Sequence, residues 1–202
     1  ADDWHAAGYR GEGVDVAVVD SGFKGRVAAR SNGDLPNPLL TKNYCDAGLD
    51  GGSGGTTHGT GVAEIVYDIA PEADLWLVCI DNSLDLAKAI TWMGQNRIDV
   101  FNASLGFIAA YPGDGTGDLK AYSNKAEKAG LTWVNSAGNY ALNHWGGAFA
   151  DSVDSDGVHQ FLASPHDESL TVTLAANWYI QVLLRWDDTW PYAGNDFDLY
   201  LY

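Results

Sequence analysis

The strongest constraint in this chain is a change of hydrophobic period. Up to about residue 140, short β-rich apolar runs alternate with stretches of helical spacing. Val14 to Val19 is an apolar run ended by Asp20-Ser21-Gly22, and Leu39 to Tyr44 is a candidate second strand. Val62, Ile65, Val66 and Ile69 repeat at helical spacing within 58–70, and Pro71 stops that pattern. Asp74 to Ile80, Ile98 to Asn102 and Leu131 to Asn135 read as further strands. Between them lie a helix capped by Asn82 or Ser83 and a helix over 117–129, with Gly130 placed at its C-terminus. Strands alternating with helices of this length demand parallel pairing and crossover helices. The predicted class is therefore α/β, a three-layer αβα arrangement with a mostly parallel sheet. In such sheets ligands gather at the carboxyl ends of the strands.

After about residue 149 the helical period disappears. Leu170, Val172 and Leu174 alternate with threonines, and Ile180 to Trp186 and Phe197 to Leu201 alternate likewise. Period two predicts antiparallel strands with one buried face, a β-rich insert or partial sandwich over 149–202 following a domain over 1–148. That segment holds nine acidic residues and one basic residue, a net of −8, half of the chain's −16. So acidic a protein repels phosphate backbones, which argues against nucleic acid as a partner. The longest apolar run, Leu75 to Ile80, is six residues, whereas a membrane span needs roughly 20. The opening Ala-Asp-Asp-Trp reads as an internal start, with any leader already removed. Two cysteines, Cys45 and Cys79, form no disulfide framework and no metal knuckle. They pair if their predicted strands are neighbours. The simpler expectation is two buried free thiols that behave as small apolar side chains.

Chemistry-bearing residues gather where strands end or helices begin. An apolar strand delivers the carboxylate of Asp20. His58 opens an apolar helix after a glycine-rich stretch. Ser136-Ala137-Gly138-Asn139 is a small-residue turn that presents an amide, and Asn102-Ala103-Ser104-Leu105-Gly106 is another strand end. An Asp beside a His fixes the imidazole tautomer, the His then accepts a hydroxyl proton, and an amide donates to a developing oxyanion. Taken singly, each residue is an ordinary turn or cap former.

In their order these segments resemble the motifs of the subtilisin-like serine peptidases, the subtilases. Asp20-Ser21-Gly22 matches the family's Asp motif, and His58-Gly59-Thr60 with Val62-Ala63 its His motif. Ser104-Leu105-Gly106 matches its substrate strand, and Ala137-Gly138-Asn139 its oxyanion turn. The resemblance implies that Asp20 orients His58, that His58 is general base and then general acid, and that Asn139 donates to the oxyanion. It further implies that a substrate peptide lies along Ser104, Leu105 and Gly106, with Ala137 and Gly138 walling the pocket. Gly61 stands where most members carry a second His. The nucleophile motif Gly-Thr-Ser-x-Ala-x-Pro does not occur in these 202 residues.

The expectation is thus part of a secreted serine endopeptidase whose Ser lies in a C-terminal remainder of the same polypeptide. The alternative is a non-catalytic peptide- or partner-binding pseudoenzyme of the same fold. Ser53, in Gly51-Gly52-Ser53-Gly54-Gly55, matches a nucleophile elbow only formally, because it lacks the strand before and the helix after. A dinucleotide-binding reading fails because no Gly-x-Gly-x-x-Gly follows the first strand. No cofactor is required. Asp151, Asp154 and Asp156, or Asp187-Asp188 with Asp196 and Asp198, are candidate structural Ca²⁺ ligands, although the calcium-loop frame is broken. The aromatic-rich β segment is expected to pack a core or to form a binding face.

Overall fold

A computed structural model describes residues 1–51, 55–107, 110–140, 142–163 and 166–202. Ser53 lies outside the described residues. The chain divides into two compact units, Ala1–Gly138 and Asn139–Tyr202, and the composition shift near residue 149 falls inside the second.

The first unit runs α1 (Asp2–Ala6), β1 (Asp15–Asp20), α2 (Arg26–Asn32), β2 (Leu40–Asn43), α3 (His58–Ile69), β3 (Asp74–Cys79), α4 (Ser83–Gln95), β4 (Val100–Ala103), α5 (Gly117–Lys128) and β5 (Thr132–Asn135). Its five strands pair in the order β2-β3-β1-β4-β5, all parallel. Strand alternation sorts the side chains between two layers. Ala17 and Val19 of β1 join Phe101 of β4, Leu86, Ile90 and Met93 of α4 and Ala126 of α5 in one core. Val18 of β1 joins Leu75, Leu77 and Cys79 of β3, Ala29 of α2 and Ala63 of α3 in the other. The expected three-layer α/β arrangement is therefore present. Asp20 has the parity of Val18, so its carboxylate faces the α2–α3 layer.

Caps delimit the helices where the sequence places them. Asn82 accepts from the amides of Leu84 and Asp85, at 2.9 and 3.1 Å, to open α4. Gly130, at φ 77°, reverses the chain after α5, and the Leu131 amide returns to the Ala126 carbonyl. Connections from β1 lead to one side of the sheet and those from β4 to the other. The strand order thus reverses between β1 and β4, and their carboxyl ends flank the crevice that such reversals create.

Of the antiparallel pairing expected over 149–202, the described residues show one short ladder. The second unit contains one two-residue ladder, β6 (Leu162–Ala163) against β7 (His166–Asp167), and none of the described residues beyond it is in a strand. Alternation specifies a strand only when a neighbour takes its hydrogen bonds and a layer covers its apolar face. Here Leu170, Val172 and Leu174 remain exposed, as do Ile180, Val182 and Leu184. The order that exists is made otherwise. Trp145, His159 and Phe161 stack edge-to-face, and Phe149 bridges His159 to Phe197. Asp188 Oδ2 accepts from the Gly194 and Asn195 amides, both at 2.8 Å, closing a turn there.

The expectation of free thiols is also overturned. Cys45 and Cys79 are joined as a disulfide with their Cα atoms 5.5 Å apart. The parallel register of β2 on β3 ends with Asn43 opposite Cys79, so the chain leaving β2 passes directly over the end of β3.

Candidate active site

The site begins with one amide-to-carbonyl contact between β1's exit turn and the first turn of α3. An α-helix leaves its first amides without internal partners. In α3 the Gly59 amide donates to the Gly22 carbonyl at 3.1 Å, and the His58 amide donates to Thr56 Oγ1 at 3.0 Å. Thr57, the formal cap, makes no side-chain bond. The helix is therefore seated on the very turn that carries Asp20.

Gly59 makes that seating possible. A Cβ there would lie 2.6 Å from the Gly22 carbonyl oxygen, 2.7 Å from Asp20 Cβ and 2.8 Å from Phe23 Cε1. Gly61 has no such role, since a Cβ there would meet open space. The sequence flags Gly59 only as part of a motif. Its steric function is read from the packing.

Within this seam His58 Nδ1 and Asp20 Oδ2 are 2.6 Å apart. The Asp20 side chain is 1% exposed and that of His58 is 52% exposed. Burial pushes the Asp20 carboxyl above its ordinary value of 3.8. The His58 hydrogen bond, the His58 charge and the Ser21 and Gly22 amides pull it back without cancelling that effect. With its carboxylate ionised Asp20 only accepts, so Nδ1–H of His58 donates to Oδ2 and that bond orients the half-exposed ring.

The crevice flank is Ser104-Leu105-Gly106, which follows β4. No backbone amide or carbonyl of these three residues has a backbone partner among the described residues. The Leu105 carbonyl is met by Ser136 Oγ at 3.3 Å, which ties this flank to the turn after β5. Ala137 and Gly138 continue that turn, exposed, with Gly138 at φ 90°. Asn139 is exposed and opens the second unit. Asp20 thus ends β1, His58 begins α3, Ser104, Leu105 and Gly106 follow β4, and Ala137 and Gly138 follow β5.

The acidic candidates separate. Asp151, Asp154 and Asp156 each bring an oxygen within 4.8 Å of the others, and Asp154 also groups with His166 and Glu168. Asp187, Asp188, Asp196 and Asp198 gather no such trio among the described residues. Asp188 instead spends its oxygens on the Thr189, Gly194 and Asn195 amides.

Comparison with known proteins accords with this geometry. The model of the subtilase family matches residues 11–177. The chain is 30% identical over 154 residues to subtilisin DY of Bacillus licheniformis, covering 69% of this chain and 52% of that protein. It is 31% identical over 150 residues to subtilisin E of Bacillus subtilis strain 168, covering 67% of this chain and 36% of that protein. The solved structure of the prenylagaramide maturation protease PagA superposes with a TM-score of 0.50 at 22% identity, covering 66% of this chain and 49% of that one. The last is a likeness of fold. The chain spans between about a third and a half of the length of these curated relatives.

Proposed function

This chain belongs to the subtilase family, and from that premise we propose that it is the Asp- and His-bearing part of a serine endopeptidase. The supporting observation is the 2.6 Å contact between a fully buried carboxylate and a half-exposed imidazole at the crevice of a parallel sheet. Asp20 holds the proton on Nδ1 and stabilises the imidazolium once Nε2 has taken the proton of the nucleophile. The nucleophile is a serine supplied by a segment outside these 202 residues, because the family's serine motif does not occur in them. His58 then returns the proton to the leaving amine. The Asn139 amide donates to the oxyanion. The backbone of Ser104, Leu105 and Gly106, which has no backbone partner among the described residues, receives the substrate as an added strand, against a wall formed by Ala137 and Gly138. Alone, the chain is inactive, since the attacking atom is missing.

An oxidising, extracellular setting suits a buried disulfide. No helix among the described residues is long and apolar enough to cross a membrane.

The test is serine-directed labelling of the full polypeptide with a fluorophosphonate probe. We expect stoichiometric labelling of one serine outside residues 1–202, and His58→Ala lowers peptide hydrolysis by several orders of magnitude. A full polypeptide with Ala or Gly at the nucleophile position, binding peptide without cleaving it, establishes the pseudoenzyme reading instead.

A further inference from the structure

We infer that the Cys45–Cys79 disulfide is a positioning device for the Asp20–His58 pair. The inference rests on the reading of that pair as the proton-transfer couple. Cys79 is the register partner of Asp20 across the β1–β3 ladder, and adjacent parallel residues project to the same face. The disulfide therefore lies in the α2–α3 layer beside the buried carboxylate. The Asp20 carbonyl also accepts from the Ile80 amide at 3.0 Å, so the strand end carrying the disulfide is the one that holds Asp20's backbone.

From Cys45 the constraint continues by short contacts. The loop 45–50 turns through Gly48, whose amide returns to the Cys45 carbonyl at 3.1 Å. It then presents the Leu49 carbonyl to the Phe23 amide at 2.7 Å. Phe23 is fully buried, and its ring forms one wall of the space that Gly59 leaves open beneath α3. The same loop ends in Asp50, which pairs with Arg26 at the start of α2. One covalent bond thus fixes a loop that supports, through Phe23, the floor under His58, while its other half anchors the strand beside Asp20. The loop's other polar ties are the Asn43 side chain, which accepts from the Cys45 amide at 3.1 Å and donates to the Cys45 carbonyl at 3.0 Å, the exposed Asp46, whose backbone amide donates to Asp81 Oδ2, and the exposed Asp50, which pairs with Arg26. A surface pair such as Asp50–Arg26 contributes little by itself. Cys79 is 0% and Cys45 4% exposed, so reductants do not reach the bond in the folded protein. It acts as a permanent strut rather than a switch.

The test uses proton NMR of this chain, which needs no nucleophile. In the oxidised wild type the His58 Nδ1 proton, held between imidazole and carboxylate, gives a low-field resonance that survives solvent exchange. In Cys45→Ala/Cys79→Ala we expect that resonance to be lost under conditions where the chain is still folded by circular dichroism. Cys45→Ala/Cys79→Val, which refills the space at the end of β3, is read if the double alanine variant does not fold. Ile90→Val, a core change in the opposite layer, serves as the control for lost stability and keeps the resonance. In the full polypeptide the cysteine-free variant should lose kcat with KM unchanged. Retention of the resonance and of kcat without the disulfide overturns the inference and leaves the bond a stabiliser only. An oxidised wild type lacking the resonance removes the coupled pair and, with it, this inference. A resonance present in the wild type together with failed serine labelling would instead sink the peptidase reading alone.

Discussion

The two units use similar apolar residues to opposite ends. In the first, Val18, Leu77 and Phe101 are fully buried because each strand has a parallel neighbour and a helix over each face. In the second, Val172, Leu184 and Leu199 are more than two-fifths exposed, although their alternation is as regular. Hydrophobic pattern therefore reports what a segment is suited to join, and structure follows only where the partner is present. What the second unit does order, it orders through a cluster of stacked rings and through polar side chains that satisfy nearby amides, as Asp188 and Gln160 do. These contacts require no distant strand.

That contrast can be broken most sharply by truncating one apolar side chain in each unit. Phe101→Ala removes a fully buried side chain between two helices and the sheet, and should lower stability by about 3–5 kcal/mol in a urea melt. Val172→Ala should change it by less than about 0.5 kcal/mol. Equal effects would mean that the exposed alternation is packed in solution. Next in size is Gly59→Ala. The added methyl meets the Gly22 carbonyl, Asp20 Cβ and the Phe23 ring at 2.6–2.8 Å, so α3 must lift from β1. A loss of about 1–3 kcal/mol is expected, together with disappearance of the His58–Asp20 proton signal. An unchanged signal would show that the seam has slack.

A smaller effect comes from pH. The folded-state pKa of Asp20 is raised above 3.8 by burial, so the native state binds this proton more tightly than the unfolded chain. The resulting contribution is fully present below 3.8 and is lost as pH rises through the folded value. Asp20→Asn should accordingly gain in melting temperature relative to wild type as pH is taken from 3 towards neutrality. A constant difference across that range would contradict the assigned shift. The smallest change is local. Asp188→Ala should speed hydrogen exchange at the Gly194 and Asn195 amides without shifting the global melt, and a shift of the whole transition would show that the second unit is more cooperative than its hydrogen bonds suggest.

Much of the first unit was legible because local signals and tertiary demands agree there. Asn82, Gly130 and Pro71 fix element ends by their own chemistry, and period alone separates strand from helix. The strand ending in Asp20 and the helix opening at His58 were visible for the same reason. Less visible were features that depend on distance between elements. Nothing local says that Gly59 stands against Gly22, or that the chain leaving β2 crosses the end of β3 so that Cys45 meets Cys79. Helices α1 and α2 were also missed. At five and seven residues they are too short for a period to register. The alternation over 149–202 was equally visible, while strand partners for most of it are not seen among the described residues.

The reversal of strand order between β1 and β4 has a further consequence. The residues that meet substrate in the proposed reading hang from connections that diverge at that point, while the layers below are locked by Phe101, Leu77 and their neighbours. Selectivity for new peptides can therefore be sought by exchanging the stretches after β4 and β5, leaving the proton-handling couple and the interior untouched.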